Sequence, residues 1–179
     1  MAEEKKDAWL NYLALTTVVL AVCATLSTFK GSSFSTRSVI NQNLAANQWS
    51  YFQSKSIKGY MFDLQKEMLE LQLITQAPQL TSPAVDTVRQ RIDEYRRNIA
   101  RYDSEKVAIT ADAKKYEDIR DYSQAHSRVF GIAVIYLQLG ILLSSIAALL
   151  KKRRVWYVGL VLGVIGLGYF AYAWLPFPV

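Results

Sequence analysis

VFGIAVIYLQLGILLSSIAALLKKRR, residues 129–154, is a run of 22 residues without a charge followed by four consecutive bases. A single α-helix needs about 20 apolar residues to cross the ~30 Å hydrocarbon layer of a bilayer, so this run reads as a membrane helix with a basic turn at its end. Working outward, a second uncharged block follows the turn at 155–175, and a third lies near the N-terminus at 9–29. The chain therefore reads as an all-α membrane protein with three transmembrane helices. The long segment 30–128 separates the first helix from the second and is predicted to form an antiparallel helical hairpin, a coiled-coil stalk outside the bilayer.

The division is then a cytoplasmic N-terminal tail 1–8, membrane helix 9–29, hairpin 30–128 with its tip at 76–83, membrane helix 129–150, cytoplasmic turn 151–154, membrane helix 155–175 and an outer tail 176–179. The 51% hydrophobic content of the 179 residues is concentrated in the three blocks, which leaves no separate core for an enzyme. Lys5 and Lys6 precede the first block as in a signal peptide. Its long apolar run, the acidic share of its leader and the lack of a suitable small-residue cleavage site favour an uncleaved anchor instead.

Four bases in a short loop belong on the cytoplasmic side by the positive-inside rule. That places Lys5 and Lys6 inside and the hairpin outside; in a bacterial inner membrane, outside is the periplasm. Trp9, Tyr12, Trp156 and Tyr157 are expected at the inner interface, and Phe29, Phe130, Tyr172 and Trp174 at the outer one. Residues 30–128 carry 15 Lys and Arg against 12 Asp and Glu, so the overall charge of +6 comes largely from Lys151, Lys152, Arg153 and Arg154. Such a surface does not suit nucleic acid.

Ser82 and Pro83 give the hairpin a helix start, as N-cap and first helical residue. On the rising arm Ile57, Met61, Leu64, Met68 and Leu71 alternate three and four, and on the falling arm Val88, Ile92, Tyr95, Ile99 and Tyr102 do the same. Paired head to tail, these two series form a seam. The same alignment sets Glu67 near Arg91 and Lys58 near Asp103, and carries on through Tyr51 with Ile109, Leu44 with Tyr116 and Ile40 with Ile119. A bend is expected at 30–36, around Gly31 and its serines.

Behind that seam the rising arm carries Trp49, Phe52, Phe62, Leu69 and Leu73, whereas the falling arm carries charge. The former are the candidate contacts between subunits. Gly159 and Gly163, a GxxxG pair in the third membrane helix, join them, with packing inside one subunit as the other reading. No Asp, Glu, Lys, Arg or His lies inside the three blocks, which argues against a pump or proton-coupled transporter. Gln138 is the polar residue at mid-membrane, expected to hydrogen-bond between helices, or in a symmetric oligomer to ring a pore.

Cys23 and His126 are each the only residue of their kind, so no disulfide, zinc site or other cofactor site is expected. Cys23 reads as a packing residue and His126 as an interfacial surface residue. No nucleophile elbow or phosphate loop is present.

The run Asn47 to Lys58, NQWSYFQSKSIK, lies soon after the first membrane helix. Its pattern Gln48-Trp49-x-Tyr51-x-Gln53-x-Lys55-Ser56-x-Lys58, with Phe52 as part of an aromatic pair, resembles a bacterial family known as domain of unknown function 4337. The resemblance covers most of the chain and implies a bacterial membrane location, without an activity or site residues to carry over. The function expected from the residues is a non-enzymatic homo-oligomeric envelope scaffold whose partners are further copies of itself and membrane lipid. A passive channel lined by the first membrane helix and the amide-rich stretch 41–58 is the alternative. A sensory or accessory subunit of another membrane complex is the third reading.

Overall fold

The computed structural model describes the backbone of residues 2–76 and 81–175, and the side chains of residues 9–76 and 81–175. These form three helices, α1 (Ala2–Gln76), α2 (Ser82–Leu150) and α3 (Arg153–Tyr172), and the described residues contain no strand. Each helix includes a stretch long and apolar enough to cross a membrane. The chain divides into two units, Met1–Ile40 with Ile119–Val179, and Asn41–Asp118.

In the first unit, α1, α2 and α3 pack as a bundle whose close approaches are made by glycine. A Cβ on Gly140 would stand 3.0 Å from the Gly159 carbonyl oxygen and 3.2 Å from Gly163 Cα. A Cβ on Gly163 would meet the Leu20 methyls at 2.9 Å, and one on Gly166 would meet Leu137 Cγ at 2.8 Å. Gly159 and Gly163 thus pack against α2 and α1 of their own chain, the intrachain one of the two readings that the GxxxG pair allows. Backbones set this closely gain dispersion along their length, and that contact holds the bundle together.

The expected bend at 30–36 is absent, and α1 runs through it. Gly31 is buried against α2, where a Cβ would lie 3.1 Å from Phe130 Cβ, and the Ser127 hydroxyl donates to the Gly31 carbonyl at 3.0 Å. The Ser33 hydroxyl donates back to Phe29 in its own helix. A glycine beside serines here marks contact between helices rather than a loop.

Three of the eight aromatics expected at the interfaces are turned inward. Tyr12, Tyr157, Phe29, Tyr172 and Trp174 are exposed as a belt requires, but Trp9 and Trp156 are buried against each other with Leu13 and Ala147, and Phe130 is buried. The Trp156 indole donates to the Thr16 hydroxyl at 3.3 Å, and the Arg153 guanidinium lies 5.5 Å from the centre of the Trp9 ring.

In the second unit, α1 from Asn41 and α2 up to Asp118 form the two arms of a hairpin. Residues 77–80 of the expected tip, and the tail 176–179, lie outside the described residues. The Thr81 carbonyl accepts from Ala84 and Val85 at 2.9 and 3.1 Å, so Thr81 takes the cap position expected of Ser82, and Pro83 is second in the helix. Proline is tolerated there because backbone N–H groups of the first turn have no helical acceptor.

The turn between α2 and α3 is as short as the basic run suggests. The Lys152 N–H donates to Ala147 and the Lys151 N–H to Ala148, at 3.1 and 3.3 Å, the paired closure of a Schellman motif. Lys151 sits at φ 49°, the left-handed conformation that normally falls to glycine. Lys151→Gly should therefore stabilise the protein by about 1 kcal/mol, read as a higher melting temperature in detergent. Lys152→Gly, at an ordinary φ of −109°, should give no gain.

Candidate interaction surfaces

The seam of the hairpin uses the expected face of α2 and a different face of α1. On α2, Ile92 and Tyr102 are buried at 4% and 8% exposure, and Val88, Tyr95 and Ile99 are half-buried. On α1, however, Ile57, Met61, Leu64, Met68 and Leu71 are 57–64% exposed. The residues turned inward are Asn41, Ala45, Gln48, Phe52, Lys55, Gly59, Phe62, Lys66, Leu69 and Leu73, all buried or half-buried and spaced alternately by four and three. Trp49, beside them, is half-buried as well. The residues expected to meet other subunits, Trp49, Phe52, Phe62, Leu69 and Leu73, thus lie on the side of α1 turned to its own falling arm.

The levels of the two arms agree with the expected alignment to within about a turn; the rotation of α1 about its axis does not. Phe62 packs on Tyr95 and Tyr102 with ring centres 5.4 and 5.9 Å apart, and Gly59 lies opposite Tyr102, where a Cβ would sit 3.9 Å from Tyr102 Cβ. Two tyrosines on the falling arm are bulky, and a face that alternates Ala45, Gly59 and aromatic rings receives them more closely than five branched or long aliphatic side chains could. Lys55 and Lys66 fit this face because a lysine stem packs as hydrocarbon while its ammonium group reaches outward.

The rotation also changes the ion pairs. Between the arms they are Lys55 with Glu105 at 2.6 Å and Arg96 with Glu70 at 2.8 Å. Arg91 instead pairs with Glu94, and Asp103 with Lys106, each within α2. The Trp49 indole N–H donates to Glu117 at 2.9 Å.

Lys55 is the centre of the polar contact. Its ammonium also lies 5.1 and 5.3 Å from the ring centres of Tyr51 and Tyr102, so one cation is held by a carboxylate and two aromatic faces. The Ser50 and Ser54 hydroxyls, in the same amide-rich stretch, donate to Ala46 and Ser50 carbonyls of their own helix. Much of what marks residues 47–58 in the sequence therefore serves the packing of two arms.

Outside the hairpin, His126 is buried at 2% exposure, against the expectation of a surface residue. It stacks on Phe34 at 5.0 Å, lies 4.3 Å from the Tyr122 ring centre, and its Nδ1 is 3.2 Å from the Ala173 carbonyl. A carbonyl only accepts, so in this contact Nδ1 is the donor, to a backbone group at the C-terminal end of α3. The sequence signal was present: His126 falls in a run of buried α2 positions with Ser123, Phe130, Ala133 and Leu137. Cys23 is half-buried against the cluster of Leu20, Ala24 and Leu137, in keeping with packing. Gln138 is exposed rather than between helices of its own chain. Among the described residues no group of three or more His, Cys, Asp and Glu is placed to hold a metal.

The hydrogen bond between Lys55 and Glu105 holds the Glu105 carboxyl below the usual carboxylate range and raises the Lys55 ammonium above the usual lysine range, each against some desolvation. A depressed acid contributes stability above its unfolded pKa and loses it as pH falls through the folded value; a raised base contributes below its unfolded pKa and loses it as pH rises through the folded value. The pair is therefore fully stabilising between the ordinary ranges of the two groups. Glu105→Gln should lower the melting temperature at neutral pH and shrink the further drop on acidification to about pH 3, followed by circular dichroism in detergent.

A family model described as domain of unknown function (DUF4337) matches residues 9–176. No curated protein and no solved structure matches the chain. The family match takes in α2, α3 and nearly all of α1, including the Lys55 contact and the glycine-packed bundle. By that match the chain belongs to the DUF4337 family.

Proposed function

We propose that this protein is a non-enzymatic, self-assembling scaffold of the bacterial envelope. Its apolar bundle is embedded in the inner membrane, and its hairpin is a periplasmic stalk that joins other copies through the outer face of α1. The basic turn 151–154 supports that orientation, since short cytoplasmic loops gather Lys and Arg.

The observation that carries the reading is the stripe of Ile57, Met61, Leu64, Met68 and Leu71, flanked by exposed Tyr60 and Ile74. Its three-four spacing is that of a coiled-coil seam, and nothing in the described residues covers it. The outer face of α2 at the same levels is instead charged, with exposed Asp93, Glu94, Arg97 and Arg101. A solitary hairpin would not keep one arm apolar and the other solvated. Each of these aliphatic side chains gains about 1.5–3 kcal/mol on full burial, so a second α1 laid along the stripe is a sufficient partner. The heptad spacing fits another helix of the same kind better than a lipid surface or an irregular peptide.

Two double substitutions separate the faces. Leu64→Glu with Met68→Glu should lower the particle mass in detergent, measured by light scattering, while leaving helicity and melting temperature nearly unchanged. Leu69→Glu with Leu73→Glu, on the inner face, should destabilise the hairpin by several kcal/mol, since each buries a charge in an apolar contact. Unchanged mass in the first variant would count against the scaffold.

A further inference from the structure

The exposed face of α2 within the apolar bundle carries a second repeat. Gly131, Gln138 and Ser145 recur every seven residues, Ile135, Leu142 and Leu149 fall four residues after each, and all six are exposed. A Cβ on Gly131 would meet nothing within 4 Å, so its small size answers no contact in its own chain.

Gln138 is the telling member. It lies near the middle of the uncharged run 129–150, too deep for its amide to reach the interface, and it has no hydrogen-bond partner among the described residues. Hydroxyl groups solve this problem locally: Thr17, Thr25, Thr28 and Ser145 each donate to a carbonyl one turn back in their own helix. A carboxamide brings two donors and an acceptor, which no single helical carbonyl can satisfy. Turned toward lipid, it would remain unpaired where no water is available.

We infer that this face of α2 is a contact with a second copy of the chain, in which the two Gln138 side chains hydrogen-bond to each other at mid-membrane. The inference rests on the scaffold reading only in naming a second copy as partner. Copies inserted with the same orientation pair in parallel, and a two-fold axis along the membrane normal then brings each residue level with itself. The carboxamide is self-complementary, so a facing pair exchanges donor and acceptor. Above and below it, Gly131 and Ser145 allow the helices to approach, and Ile135, Leu142 and Leu149 interdigitate at coiled-coil spacing.

The test uses the full chain in a Cys23→Ser background, reconstituted at low density in phosphatidylcholine and phosphatidylglycerol vesicles and oxidised with copper phenanthroline. Single cysteines at Ile135→Cys and Leu142→Cys, which keep Gln138, should form disulfide dimers. Tyr136→Cys and Leu143→Cys should not, because Tyr136 stacks on Tyr169 and Leu143 packs against Gly159 inside the bundle. Adding Gln138→Leu to the 135 and 142 variants should reduce dimer yield by about three- to ten-fold without lowering the melting temperature. Equal yields at all four positions, or yields indifferent to Gln138→Leu, would overturn the contact. In the Leu64→Glu, Met68→Glu background the links should persist. Links that vanish there while Gln138→Leu has no effect would overturn the amide contact and leave the stalk reading standing.

Discussion

The structure depends on how closely α1 can approach α2, and this is set by which side of α1 carries the small residues. In the apolar bundle that side presents Ala24, Ser27 and Gly31, all buried; in the hairpin it presents Ala45 and Gly59 between aromatic rings. Small residues bring two backbones together and let the large side chains on the partner, Phe130 in one unit and Tyr102 in the other, fill the space beside them. Dispersion falls steeply with distance, so a face that permits close approach outcompetes one that is merely more hydrophobic. The aliphatic stripe of α1 is left outside for that reason.

This constraint also explains which parts of the fold were legible in the sequence. The uncharged runs, the basic turn and the hairpin's reversal between Gln76 and Ser82 follow from length, charge and proline chemistry, and they read directly. The alignment of the two arms is legible as well, because on α2 the apolar series is also the buried one. On α1 the two part company, and the most apolar series is the exposed one. Lys55, Gly59 and Lys66 score as polar or neutral, yet their positions belong to an unbroken four-three series from Asn41 to Leu73. A search for the longest regular spacing, rather than the most apolar one, selects the buried face.

The same divergence accounts for Gly31 and His126. A glycine among serines suggests a loop when read locally, but Gly31 is one turn beyond buried Ser27 and meets Phe130 across the bundle. His126 appears polar in a polar run, but its ring is part of an aromatic stack and its Nδ1 donates to a backbone group at the end of α3. Exposure of such a side chain is decided by its place in the helical repeat, and residue type is the weaker guide.

The buried and exposed series on the hairpin arm of α1 are offset by two residues: Lys55, Phe62 and Leu69 face α2, while Ile57, Leu64 and Leu71 face away. At 100° per residue the two lie about 200° apart, on opposite sides of one helix. Both repeat every seven residues, so the slow drift of a heptad pattern around an α-helix carries them together and neither seam runs off the helix relative to the other. A helix that served only one partner would have no reason to keep a second apolar series in step with the first. In the proposed assembly α1 is therefore the inner helix, held between its own α2 and the α1 of another copy, and α2 forms the outer surface with its charged face in water. The Gln138 face lies on α2 within the apolar bundle, where a charged outer surface is not available and one unpaired amide takes its place as the feature that selects a partner.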